Sequence, residues 1–360
     1  MNDTQPLDRA GTASSSHPTT PPHPTTPPQS AAPQSTVPPS GSTGEAAGPA
    51  PTGGRSGAGR VLLVVGVTVA VLGALWGGVH LVDLALSGTE HRQESFDATQ
   101  HLELVADGEV TVRAAEDATG VEVDVESRGG LATPAYSRQE VGGDHLVLTN
   151  ECPAWAGLVS WTCSGRLHAV VPAGTEVTVR TSNGDVLAAG PVGDTDIDTS
   201  NGRVRAEDVD GDVRARSSNG DVEVRGVAGD AVTRSSNGDI EVSGVSGRLE
   251  AQSSNGRIEV AQVGDRAVVR TSNGDVEVRD VGGSTDARSS NGSVDVAAVA
   301  GDVFARTSNG RVTVVGDGEP VALTIDTSNG EQVVEGPTDP AATRTVEIHS
   351  SNGDVAYLAP

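Results

Sequence analysis

The tripeptide Ser-Asn-Gly recurs ten times in the second half of this chain, and its spacing restricts the fold more than any other feature. The asparagines are Asn183, Asn201, Asn219, Asn237, Asn255, Asn273, Asn291, Asn309, Asn329 and Asn352. Seven successive spacings are 18 residues; the last two are 20 and 23. A period near 20 residues is the mark of a solenoid, in which each repeat is one coil stacked on identical neighbours.

With asparagine as position one, position four is Val186, Val204, Val222, Ile240, Ile258, Val276, Val294 and Val312 in the first eight copies. Position six is Ala or Val in all of these, and position nine is mostly Val. Positions thirteen and fifteen are mostly small or β-branched. Each coil therefore offers two arms that alternate inward apolar with outward polar residues, the pattern of strands with one buried face. A fully buried Val stabilises by ~1.5–3 kcal/mol, so a single coil cannot stand alone and stacking must supply the core. Inward positions do not fall every six residues, which disfavours a triangular helix and favours a flattened coil with two main sheets. Aromatics are only 2% of the chain and glycines number 46, as a thin Val/Ala core requires. The reading is all-β: a parallel β-solenoid (β-helix) of about ten 18-residue coils over 181–360. The Asn-Gly pair is expected to reverse the chain in the left-handed region. The stacked asparagines are expected to form an amide ladder, which outweighs the alternative that a regular hydroxyl and amide row binds an external surface.

The rest of the chain divides by composition. Residues 1–59 are rich in Pro, Thr and Ser and cannot bury enough apolar surface to offset ordering entropy; they read as a disordered cytoplasmic spacer or proline-motif ligand. Residues 61–79 carry no charge. Their ~28 Å length as a helix matches a bilayer core, so 60–83 reads as a transmembrane helix. Arg55 and Arg60 precede it, and Asp83 and Glu90 follow. The positive-inside tendency then places a single-pass chain in the cell membrane, N-terminus cytoplasmic and the bulk extracytoplasmic. Gly73 and Gly77 form a small-xxx-small pair that can bring two such helices together. Residues 84–93 read as a polar linker.

Residues 94–180 alternate with period two at 101–105, 109–113, 121–125 and 176–180, with turn signals at Asp107-Gly108, Gly129-Gly130 and Gly142-Gly143. They read as an irregular β region holding the solenoid cap and first coils. Within it, Cys152 and Cys163 bracket a loop with Trp155 and Trp161; beyond a membrane they are expected to pair as a disulfide. The tryptophans either plug the open end of the solenoid or meet a sugar or partner.

The chain resembles a bacterial family of β-strand repeats named as candidate adhesins, similar to auto-transporter adhesin head domains. The resemblance covers roughly 94–360, through His168-Ala169-Val170-Val171-Pro172, then Glu176-Val177-Thr178-Val179, then the Ser-Asn-Gly-Asp-Val coils. It implies a cell-envelope protein of unknown function and brings no catalytic residues.

The charge pattern suggests two further candidates. Position five gives Glu223, Glu241, Glu259, Glu277 and Asp295, a carboxylate column that is either a weak cation site or a solvated acidic face. Position sixteen gives Arg216, Arg234, Arg270, Arg288 and Arg306, broken by Gln252. That column is either a groove for anionic glycan or a set of local partners for aspartates at positions twelve and fourteen. The net charge of −25 argues against nucleic acid. No cofactor motif, metal-ligand histidine spacing or nucleophile motif is present. The expected function is non-enzymatic: an adhesin, scaffold or surface-binding module with a cell-wall polymer, glycan or envelope protein as partner. The alternatives are a signalling accessory coupling an outside ligand to the tail, and a glycan-active β-helix enzyme.

Overall fold

The computed structural model describes residues 57–360, so the tail over 1–56 lies outside the described residues. Among these described residues are one long helix, α1 (Gly57–Leu86), and 27 strands in two sheets of 14 and 13 strands. The arms inferred from the repeat are these strands. Val204 pairs with Val222, Val222 with Ile240, and Ile240 with Ile258, in parallel register and 18 residues apart. On the other arm Val213 pairs with Ala231 and Ala231 with Leu249. Positions four, six, nine, thirteen and fifteen are buried from coil to coil, so the two sheets enclose one continuous Val/Ala/Ile/Thr core.

The ends of the stack follow another order. The first strands after α1 are β1 (Gly88–Asp97), β2 (His101–Ala106), β3 (Val110–Ala115), β4 (Gly120–Gly129), β5 (Ala135–Val141) and β6 (His145–Glu151). A short helical turn, α2 (Ala156–Val159), precedes β7 (Ser164–Pro172), β8 (Glu176–Thr181) and β9 (Val186–Ala189). Strand β2 sits between β6 and β8, and β3 sits between β7 and β9. The chain thus lays down an inner coil, passes outward, and returns on the far side of it. β1–β4, β4–β7 and β5–β6 are antiparallel, which finishes this end. The C-terminal end repeats the exchange. Strand Thr345–Asn352 inserts between Val303–Thr307 and Ala322–Asn329. Coils spaced by 18 therefore stack in chain order, whereas the two whose spacing breaks trade places. Residues 84–93, expected as a polar linker, hold the last turn of α1 and most of β1.

The reason for the glycine also differs from the expectation. The Asn-Gly pairs of the repeat do not have positive φ. A Cβ on Gly202 would stand 1.7 Å from the Gly184 carbonyl oxygen, and one on Gly220 1.9 Å from that of Gly202. Glycine is required because successive coils touch there backbone to backbone. The left-handed residue of each coil is at position eight instead: Gly190, Asp208, Gly226, Gly244, Gln262, Asp280 and Ala298, with φ from 52° to 90°.

Candidate functional site

Three columns run along the rod, each a consequence of like residues in register. In the first, each asparagine Nδ2 donates to the Oδ1 of the asparagine one rung back. Asn201 reaches Asn183 at 3.0 Å, Asn219 reaches Asn201 at 2.8 Å, and the pattern continues through Asn237, Asn255, Asn273, Asn291 and Asn309. Asn352 then bonds Asn309 at 3.0 Å, and Asn329 bonds Asn352 at 2.9 Å, following the exchanged order. The second Nδ2 hydrogen goes to the serine carbonyl of the rung before, as from Asn219 to Ser200 at 3.2 Å. Both donors of each such amide are spent inside the stack, so the ladder offers an external ligand little beyond its oxygens.

Behind it lies a row of buried Ser and Thr at position seventeen. Ser217 Oγ donates to the Gly202 carbonyl at 3.0 Å and accepts from Gly220 N–H at 2.8 Å. Ser235, Ser253, Thr271 and Ser289 make the same pair of bonds. The repeat by itself assigns no role to the aspartates that follow glycine in many of its coils. They are backbone acceptors. Asp185 takes the N–H of Arg203 at 2.8 Å, Asp239 that of Arg257 at 2.8 Å, and Asp275 that of Ser293 at 2.8 Å. Asp194, Asp212 and Asp230 do the same in the other half of the coil. The available signal was Gly-Asp at both halves of the repeat.

The second column is acidic. Glu223, Glu241, Glu259, Glu277 and Asp295 occupy adjacent register positions. Arginine lies among them. Arg205 bonds Glu223 at 2.7 Å, Arg225 bridges Glu223 and Glu241, Arg257 pairs with Glu259 at 3.4 Å, and Arg279 pairs with Glu277. Guanidinium groups thus meet most of the like-charge repulsion that a bound cation would otherwise relieve. Among the described residues, no group of three or more His, Cys, Asp or Glu is arranged to hold a metal ion.

In the third column, Arg216, Arg234, Gln252, Arg270, Arg288 and Arg306 are likewise adjacent. Arg216 pairs with Asp196 at 3.6 Å and Arg234 with Glu250 at 2.8 Å. Arg270 and Arg288 share Asp286, at 3.2 and 2.7 Å. All three acids stand at position fourteen, so four of these arginines have local partners. The pairs of Arg216 and Arg234 are exposed and contribute ~0.2–1 kcal/mol each, whereas Asp286 is buried between its two arginines. Together they leave no continuous basic groove.

The N-terminal end holds the groups that do not repeat. Cys152 and Cys163 are joined by a disulfide. The loop they close meets α1 through Asp83, whose buried carboxylate accepts from Leu131 N at 2.8 Å, Trp161 N at 3.0 Å, Thr162 N at 3.3 Å and Thr162 Oγ1 at 3.1 Å. The sequence signal was a single acid closing an apolar run, which reads as a solvated flank. Trp155 and Trp161 do not plug the core: both are exposed, and the Trp161 ring lies 5.3 Å from Trp76 and 4.2 Å from His80 of α1. Beside the loop, Asn150 is fully buried and bonds Ser127, the Glu126 carbonyl and the Arg166 carbonyl.

Crystal structures of several bacterial proteins are similar to this chain. A "putative adhesin" from Bacteroides fragilis is 11% identical with a TM-score of 0.35, covering 75% of this chain and 97% of its own. A "putative lipid binding protein" from Parabacteroides distasonis is 12% identical with a TM-score of 0.34, covering 75% and 96%. A "putative cell adhesion protein" from Clostridium sporogenes is 9% identical with a TM-score of 0.24, covering 76% and 100%. No functional conclusion rests on likenesses this distant, and no curated protein matches the chain. The Toastrack DUF4097 family model matches twice, over residues 100–279 and 207–357, and the two overlapping matches take in both the irregular end and the regular coils. With that coverage, the chain belongs to the Toastrack DUF4097 family.

Proposed function

We propose that the protein is a non-enzymatic, membrane-anchored display rod. α1 crosses the cell membrane with the N-terminal tail inside, and the solenoid stands outside as a surface-binding module or scaffold. The observation that carries this reading is the surface of α1. Val65, Val67, Val69, Val71, Leu72 and Leu75 are exposed, so over 65–75 the helix presents apolar side chains all round and no other described residue buries them; beyond the turn that meets the disulfide loop, Leu81, Leu84 and Leu86 are exposed again. Water is a poor solvent for such a surface and a bilayer a good one. Fourteen strands at ~4.8 Å make a rod about 60 Å long. On it, each outward position is repeated at strand spacing, which suits multivalent contact with a repeating cell-wall polymer, a glycan or an envelope protein. Two engineered thiols test the topology, because the native cysteines are oxidised. In intact cells, a membrane-impermeant maleimide is expected to label Glu319→Cys and spare Ser15→Cys. Labelling of Ser15→Cys with sparing of Glu319→Cys would overturn the orientation.

A second reading, in which the rod reports an outside ligand to the tail, is favoured by one feature. The bonds of Asp83 join α1 to the rod without a flexible spacer, so a torque on the rod reaches the helix. Deletion of residues 1–54 with every ligand-dependent phenotype retained would remove this reading.

A further inference from the structure

The disulfide loop stands level with the apolar end of α1. Leu81, Leu84 and Leu86 are 70, 60 and 60% exposed, and Asp83 lies among them. Its carboxylate bonds to Trp161 N and Thr162 N pin the loop beside that turn. Trp76 is about two turns, ~10 Å, further back along the helix. Its ring nevertheless contacts Trp161, so the loop reaches toward the apolar middle of α1 rather than away from it. On the loop, Trp155, Leu158 and Trp161 are 53, 73 and 68% exposed. From Cys152 to Cys163 there is no charged residue.

We propose that the Cys152–Cys163 loop is a lipid-docking element, with Trp155, Leu158 and Trp161 entering the boundary between headgroups and acyl chains in the outer leaflet. This rests on the reading of α1 as a membrane span. Any lipid that covers Leu84 and Leu86 must also surround the loop, because Asp83 ties the two at one depth. Tryptophan suits that depth, where its ring meets acyl chain and its indole N–H meets headgroup or water. The depth has a limit as well. The loop is irregular apart from the single turn of α2, and its backbone groups need the water available among headgroups. The occupant is bilayer rather than a soluble partner because this apolar surface is continuous with the lipid-facing side of α1. The rod is then held at two points, which fixes its tilt as well as its attachment.

The test uses the full chain in vesicles whose lipids carry bromine high on the acyl chains, and two single-tryptophan variants. W76F/W161F leaves Trp155, the loop tryptophan whose ring is not stacked on Trp76 or His80, as the probe of the loop. W155F/W161F leaves Trp76 as the probe of the span. Both are expected to lose most of their emission to bromine, and Trp155 is expected to be shielded from aqueous acrylamide. Trp155 unquenched and open to acrylamide, with Trp76 quenched, would overturn the lipid-docking role alone and leave the loop free for a soluble partner. Neither quenched would overturn the span and the docking together. Phenylalanine preserves ring volume, and unchanged strand content by circular dichroism verifies that each variant is folded.

Discussion

The coils from 181 to 315 and the N-terminal end from 94 to 180 solve the same problem, enclosing a core between two sheets, by opposite means. The coils use redundancy. Val222, Ile240, Ile258 and Val276 do one job in four places, and each bond in the asparagine and serine rows has a copy one rung away. The N-terminal end uses single residues. Leu102, Leu104, Leu146, Leu148 and Leu167 replace the smaller core residues, and Asp83 and Asn150 each make bonds found nowhere else in the described chain. A solenoid's stability is a sum of coils and their interfaces. Damage to one coil is therefore shared only if its neighbours can still meet it, and damage to a unique residue has no substitute.

Gly202→Ala breaks that contrast most sharply, because it places a defect inside the redundant part that its neighbours cannot absorb. The added methyl would lie 1.7 Å from a carbonyl oxygen. The coils must part at that turn, and their ladder bonds go with it. The expected cost is ~3 kcal/mol or more, the upper end for overpacking. Urea melts should show it, with loss of protection from hydrogen exchange beginning at Asn201 and Asn219. Gly226→Ala is the control. It sits at position eight, where Asp208, Gln262 and Ala298 already tolerate positive φ, and should cost only ~1 kcal/mol.

Asn150→Ala tests the other side. It leaves two half-buried carbonyls, of Glu126 and Arg166, and the Ser127 hydroxyl without this partner. Unsatisfied buried groups cost ~1–3 kcal/mol, so a loss near 2–3 kcal/mol is expected. Asn255→Ala removes an equivalent amide from the exposed ladder, where water replaces it, and should cost under ~1 kcal/mol. Equal losses in the two variants would show that the ladder is no more redundant than the N-terminal end.

A smaller effect separates the regions by pH. Burial and the Glu94 carboxylate, 3.0 Å from its hydroxyl, push Tyr136 on β5 up to about 12. A raised folded pKa favours the neutral phenol. The stability it contributes is complete below the ordinary tyrosine value near 10 and is lost as pH rises from there through about 12. Phenolate absorbance should therefore appear late for this residue, and Glu94→Gln should bring it back toward 10. The coils from 181 to 315 contain no tyrosine and should show no such dependence.

What the sequence disclosed follows the same division. The columns were legible because a period of 18 writes each inward position many times, so Val at position four and Asn at position one need no structure to be placed. The exchange of end coils was not, because spacings of 20 and 23 announce a break without saying which way the chain turns. The docking of Asp83 was not, since one acid after an apolar run has no repeat to mark it. The role of glycine at position two was misread for a related reason. Asn-Gly is a turn signal by residue type, whereas its use here depends on how close the next coil comes.

Position eight supplies the smallest effect and the finest test, because its demand is conformational and crosses residue types. Gly190, Gly226 and Gly244 meet it freely, whereas Ala298 adopts φ 52° with a Cβ and no polar side chain to compensate. The left-handed conformation costs an L-residue ~1–2 kcal/mol, and glycine recovers this minus the larger entropy it loses on folding. Ala298→Gly should therefore stabilise the coil by ~0.5–1 kcal/mol. The same change at Ala297, one residue earlier and outside the left-handed region, should destabilise by a similar amount. Opposite signs at adjacent alanines, read as shifts in the urea midpoint, would show that each coil is limited by its one left-handed residue. Loss of stability in both variants would mean that Ala298 carries no strain, and that position eight is as indifferent to residue type as its varied composition suggests.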